Sequence, residues 1–176
     1  DAAVDSEDVG GLGRPRDALV LRCRAATRQG QGHGHQGSAL ACYDIDRDLD
    51  ASLDRMTETE TESVVLHEVG EALAGEHLGE AWHEMLADLS RTKGELMARA
   101  VRDILADCLS TLPRLIEHGN EPALHFYFAG FSGVRRHLFP EAMAAYLRWA
   151  GDGDMEPLRR LVRAGRVHGC LAYAGR

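Results

Sequence analysis

Proline and aromatic residues are scarce in this chain, with 5 prolines and 6% Phe, Trp and Tyr in 176 residues. Few helix breakers, together with abundant alanine and leucine, favour helices. Basic charge is also short: 20 Lys and Arg stand against 28 Asp and Glu, a formal net charge of −8. That balance argues against a nucleic-acid partner, whose phosphates call for clustered cations. No run of about 18 consecutive apolar residues is present, so no membrane span is expected. The start lacks a positive region followed by an apolar run, so no signal peptide is read. The chain begins at Asp1 rather than Met, which fits a fragment or a processed product. The 4 cysteines, Cys23, Cys42, Cys108 and Cys170, include no C-x-x-C pair. Neither a zinc knuckle nor a redox pair is thereby suggested, and free thiols in a reducing, bacterial cytoplasm are the expectation. Nucleophile elbow, phosphate loop and dinucleotide fingerprint are all missing.

What is present divides into two kinds of material. Residues 1–50 are rich in glycine and arginine, as in Gly30-Gln31-Gly32-His33-Gly34-His35-Gln36-Gly37. Glycine at that density resists helix and strand, so this part reads as an irregular region, or as a fragment of a larger upstream domain. His33 and His35 would lose much conformational entropy on binding a metal, and a loop is the plainer reading. Residues 51–176 read as a helical domain. Ala51 to Leu78 is a long helix stopped by Gly79, Glu80 to Leu89 a shorter one, and Ser90 a candidate cap for the next. Val101, Ile104, Leu105, Cys108, Leu109 and Leu112 recur at helical spacing, and Pro113 bends or divides that helix. Helices are also expected over Glu121 to Phe131, Glu141 to Trp149 and Met155 to Gly165. The fold class is therefore all-α, a compact array of about five or six helices. Arg159, Arg160, Arg163 and Arg166 read as a solvated helix face.

The most pointed segment is Leu66-His67-Glu68-Val69-Gly70-Glu71-Ala72-Leu73-Ala74-Gly75-Glu76-His77. It comes close to the zinc-protease helix His-Glu-x-x-His-x-x-Gly-x-x-His. Glu71 stands at the second histidine and Ala74 at the glycine. On a continuing helix His77 points about 80° away from His67, which disfavours a protease. The helical wheel puts Val65, Leu66, Val69, Ala72 and Leu73 on one face and Val64, His67, Glu71, Ala74 and Leu78 on another. Apolar residues on two sides predict a helix buried between neighbours. His67 and Glu71 would then be a buried pair satisfying each other.

The same two residues also suit one metal ion, Zn, Mn or Fe, since imidazole and carboxylate at i, i+4 reach a common point. Two ligands do not suffice, and Asp103, Asp107 and His125 are the candidates to complete the set. Glu68 would be the general base of a metal-dependent hydrolase, acting on a metal-bound water. Glu80-Ala81-Trp82-His83 has the Glu-x-x-His spacing of di-metal bundles, but such folds need two copies. Cys108 with His125 would make a nucleophile and base, although a cysteine in an apolar stripe is usually inert. A second cluster, Leu124-His125-Phe126-Tyr127-Phe128-Ala129-Gly130-Phe131, is either core or a pocket. In the latter case Phe126, Tyr127, Phe131 and Arg135 would face a ligand or partner.

The runs Val65 to Glu71, Arg99 to Leu109 and Leu124 to Ala129 resemble an uncharacterised bacterial all-helical family, a domain of unknown function, over roughly residues 42–170. The resemblance implies no catalytic residues. It implies that relatives continue Leu19-Val20-Leu21-Arg22 as a helix, from which residues 23–38 depart like out-of-frame or decayed sequence. The functional expectation is a helical module that binds a protein partner or small ligand without catalysis. The metal-dependent hydrolase is the alternative, and whether the chain is an enzyme stays open at this point.

Overall fold

The computed structural model describes residues 40–174 apart from 44, 46 and 132, and gives no side-chain environment for residues 168–174. The Gly/His tract and Cys23 lie outside the described residues. All regular structure among the described residues is helical.

Helix α1 runs Leu49–Leu78 and α2 Glu80–Asp88. Asp48 caps α1 by accepting the Ala51 N–H at 3.0 Å. Gly79 separates the two helices at φ 74, where a side chain would be strained. Helix α3, Lys93–Ala106, is capped by Thr92 rather than Ser90, and the Thr92 hydroxyl accepts the Glu95 N–H at 3.2 Å. The Glu95 carboxylate reaches back to the Arg91 N–H at 2.6 Å. Thr92-x-x-Glu95 has the capping-box pattern, which Ser90 lacks, although the Glu95 carboxylate takes the Arg91 N–H rather than that of Thr92.

Helix α3 does not stop at Ala106. It passes through a π turn, Asp107–Thr111, into α4, Leu112–Glu117. Then follow α5 (Glu121–Gly130), α6 (Gly133–Leu138), α7 (Glu141–Asp152) and α8 (Glu156–Ala174). With α3, the π turn and α4 counted as one continuous helix, the described residues hold seven helices. The extra one is α6, which buries no residue and so has no apolar stripe to announce it.

The main core gathers α4, α5, α7 and α8 around Leu112, Leu115, Leu124, Phe128, Tyr146 and Leu158. Phe128 and Tyr146 stack there at 4.6 Å between ring centroids. A second core lies between α1, α2 and α3, made of Ala74, Leu78, Trp82, Ala98, Leu105 and Ala106. The small residues matter, because Gly70 of α1 is packed onto the Ala106 carbonyl so closely that a Cβ there would collide with backbone.

That close approach fixes which face of α1 is inside, and it corrects the helical-wheel expectation. Val65, Val69 and Leu73 are 56%, 49% and 42% exposed, so most of the more apolar face is in solvent, with Leu66 alone of its large residues half-buried against the main core. The face with His67, Gly70, Glu71, Ala74 and Leu78 meets α3. Helix α1 is buried on one side, and its polar residues find their partners on α3 and beyond.

Candidate functional site

The π turn sets the site. In a π turn the N–H of residue i+5 bonds to the carbonyl of residue i, and the Leu112 N–H bonds to the Asp107 carbonyl. The next carbonyl, of Cys108, would look to residue 113 for a donor, and Pro113 has no N–H. Arg166 of α8 supplies one instead, its Nε–H donating to the Cys108 carbonyl at 2.8 Å. The widened turn projects Asp107 inward, where it is 1% exposed.

A buried carboxylate needs donors, and Asp107 has three. His67 Nδ1 lies 2.8 Å from Oδ1, and the Tyr127 hydroxyl donates to Oδ2 at 2.9 Å. Arg135 donates from one guanidinium nitrogen to Oδ2 at 3.1 Å. Arg135 also lies over the Phe131 ring, 5.3 Å from its centroid, a cation–π geometry that steadies the guanidinium. Because the carboxylate is an acceptor, His67 must carry a proton on Nδ1. This hydrogen bond holds the imidazole pKa above its ordinary value, burial opposing and the charges of Asp107, Asp103 and Glu71 adding to the rise. Burial foremost, with Asp107 beside it, raises the Tyr127 phenol well above its usual range.

The other edge of the imidazole faces a second carboxylate group. His67 Nε2 is 3.5 Å from Glu71 Oε1, one helical turn on. Ligand-type atoms of His67, Glu71 and Asp103 all lie within 4.8 Å of one another, half-buried between α1 and α3. Arg102 reaches the same spot: one of its terminal nitrogens is 2.5 Å from Glu71 Oε1 and 3.2 Å from Asp103 Oδ1. Its Nε is buried and has no hydrogen-bond partner among the described residues. Formally the cluster sums to −1 with His67 neutral and to zero with His67 protonated, counting Glu71, Asp103, Asp107, Arg102 and Arg135.

The structure thus brings together His67, Glu71, Asp103 and Asp107, with Tyr127 and Arg135 on Asp107, and leaves Glu68 and His125 elsewhere. His67 and Glu71 face each other as expected, but the shorter partner of His67 is Asp107. His125 joins the core instead: its Nδ1 is 2.9 Å from the Tyr146 hydroxyl, and its ring packs on Trp149 at 4.9 Å. Glu68 is exposed and lies outside the cluster. His77 is exposed, and His83 bonds the Gly79 carbonyl through Nδ1 at 3.1 Å. Cys108 is fully buried and its thiol is pushed up to about 12 by burial, with Asp107 adding. That is no nucleophile at neutral pH.

The aromatic cluster resolves into separate roles. Phe126 is buried with Leu53 and Met56, and Phe131 is buried in the main core. Tyr127 and Arg135 hold Asp107. The four therefore do not line one open surface. Sequence reasoning missed Arg102, although its place one residue before Asp103 was a usable signal. Along the arginine run of α8, Arg163 pairs with Glu156 at 2.7 Å and Arg166 holds the π turn, so that face is only partly a solvated one.

No helix among the described residues is long and apolar enough to cross a membrane. No curated protein and no solved structure matches the chain. A family model does match, over residues 23–173, and so takes in residues 23–38, which the resemblance had set aside as decayed. On that match the chain belongs to the family of unknown function DUF6866, as its C-terminal domain.

Proposed function

We propose that this domain is a binding module whose polar cluster takes a divalent cation, with His67, Glu71 and Asp103 as ligands. The observation that carries this reading is the fixed imidazole. Asp107 accepts the Nδ1 proton, which leaves Nε2 as the lone-pair edge, turned toward two carboxylates. A carboxylate behind a ligating histidine is the usual support of a metal-bound imidazole. One nitrogen and two oxygens suit Zn, Mn or Fe. Arg102 occupies the carboxylates' shared edge and must swing away as the ion enters. Its orphaned Nε makes that anchorage incomplete.

Hydrolysis is the weaker reading. Glu68, the residue assigned as general base, lies outside the cluster, and Cys108 is buried and protonated. We therefore assign binding, not turnover.

The test is metal content and thermal melting of tag-free protein with added zinc or manganese. One ion per chain is expected, with a rise in Tm that grows with metal concentration by mass action. Glu71→Gln and Asp103→Asn should each abolish the rise. Arg102→Met should enlarge it, by removing the resident competitor. Less than about a tenth of an equivalent bound, with no Tm shift for either metal, would overturn the proposal and leave the cluster as an internal ion-pair network.

A further inference from the structure

A concavity runs along α3. It is a groove of about 900 Å³ between α3, the α6–α7 junction, α7 and α8. Leu105, Phe139 and Leu161 form its buried floor. Ala144 of α7 and Ala164 of α8 form low walls, so the two helices leave the groove open between them. Gly165 belongs to the floor because it packs tightly against Cys108 and Phe139, where no side chain would fit.

The charge along this groove is not symmetric. Helices α7 and α8 are joined through a turn with Gly153 in the left-handed region. Arg148 of α7 and Arg160 of α8 both line the groove, each about one helical turn from that joint. Neither forms an ion pair with another described residue. The nearby acids are otherwise engaged: Glu156 pairs with Arg163 at 2.7 Å. Asp152 and Asp154 each accept a backbone N–H at 2.9 Å. Glu141 lines the opposite end, about 10 Å from Arg148 along α7.

We infer that this groove binds a free linear amphiphile with an anionic head, of the medium-chain carboxylate class. Arg148 and Arg160 hold the head, and the aliphatic floor takes the chain. Two unpaired guanidiniums at one end of an apolar trough match a carboxylate in charge and in hydrogen-bond geometry. Glu141 at the far end opposes the reverse orientation. The volume falls within the range of small-molecule sites. A three-turn partner helix, about 10–12 Å across and about 16 Å long, would overfill it. The inference is independent of the cation site, which lies between α1 and α3.

The experiment titrates the tag-free full chain by calorimetry with decanoate and decyltrimethylammonium, each below its micelle concentration, and with decanol below its solubility limit. Decanoate is expected to saturate at one equivalent, decanol to bind about tenfold more weakly, and the cationic amphiphile not to bind. Arg148→Ala and Arg160→Ala, both exposed and safe for folding, should each weaken decanoate by about tenfold while leaving decanol unchanged. Ala164→Trp should weaken both by filling the trough, and Asp103→Asn should weaken neither. Equal binding of the cationic amphiphile, saturation above one equivalent, insensitivity to both arginine substitutions, or no binding of decanoate would each overturn the inference.

Discussion

Replacing Asp107 by asparagine keeps the shape of the side chain and removes its charge, which isolates what the carboxylate does. In the native domain it accepts from His67 at 2.8 Å, Tyr127 at 2.9 Å and Arg135 at 3.1 Å. The amide oxygen can keep Tyr127 and Arg135, but its NH₂ then faces His67 Nδ1. Two charge-assisted bonds fall to neutral strength, a loss of about 1 kcal/mol each. The Arg135 guanidinium also loses its counter-ion, and because its side chain is 26% exposed that contribution is discounted to about 1 kcal/mol or less. The sum is about 2–3 kcal/mol, or roughly 4–12 °C in Tm for a chain of this size. The cost should be greatest at low pH, where His67 carries both protons and cannot accept from the amide. It should shrink as pH rises, because the variant imidazole lacks the Asp107 hydrogen bond and charge that hold its pKa up, and once neutral it can move its proton to Nε2 and accept at Nδ1. That same tautomer removes the lone pair a cation needs, so Asp107→Asn should lose metal binding with all three ligands intact. Urea unfolding at acid and alkaline pH and zinc calorimetry measure both effects. A stability within about 0.5 kcal/mol of wild type at every pH would refute the view of Asp107 as the anchor of the site.

Three further outcomes are expected. A histidine with a raised folded pKa stabilises fully below its unfolded value of 6.5, and that contribution is lost as pH rises through the folded value. Metal-free protein should therefore lose Tm over that window, while zinc-loaded protein gains relative to it, because binding must displace the Nε2 proton; parallel curves would contradict this. Gly70→Ala should destabilise by about 1–3 kcal/mol, since the new Cβ meets the Ala106 carbonyl and backbone must shift, and chemical denaturation reads it directly. Cys108 should resist a thiol reagent in the folded state at pH 8, where the exposed Cys42 reacts, and be modified at once in urea, as a fully buried thiol near pKa 12 must; peptide mapping that finds Cys108 labelled in native protein would contradict the packing.

Local signals were legible where the physics is local. Gly79, Gly119 and Gly153 end helices at positive φ, and each was readable as a stop. His67 with Glu71, and Asp103 with Asp107, were legible because four-residue spacing puts each pair on one helix face. The inward face of α1 was not legible. Val65, Val69 and Leu73 outweigh Gly70 and Ala74 on any hydrophobicity scale, yet the contact of Gly70 with Ala106, distant in sequence, rewards the smaller side chain. The π turn left one trace, Pro113, and the residue that completes it is Arg166, far off in sequence. Arg135 looked like a pocket mouth because its pairing with Asp107 crosses from α6 to the π turn. The apolar groove was invisible for a related reason. It is made by what Ala144 and Ala164 lack rather than by chemistry they carry, and the arginines beside it become informative only once their neighbours on the same run are seen to be engaged.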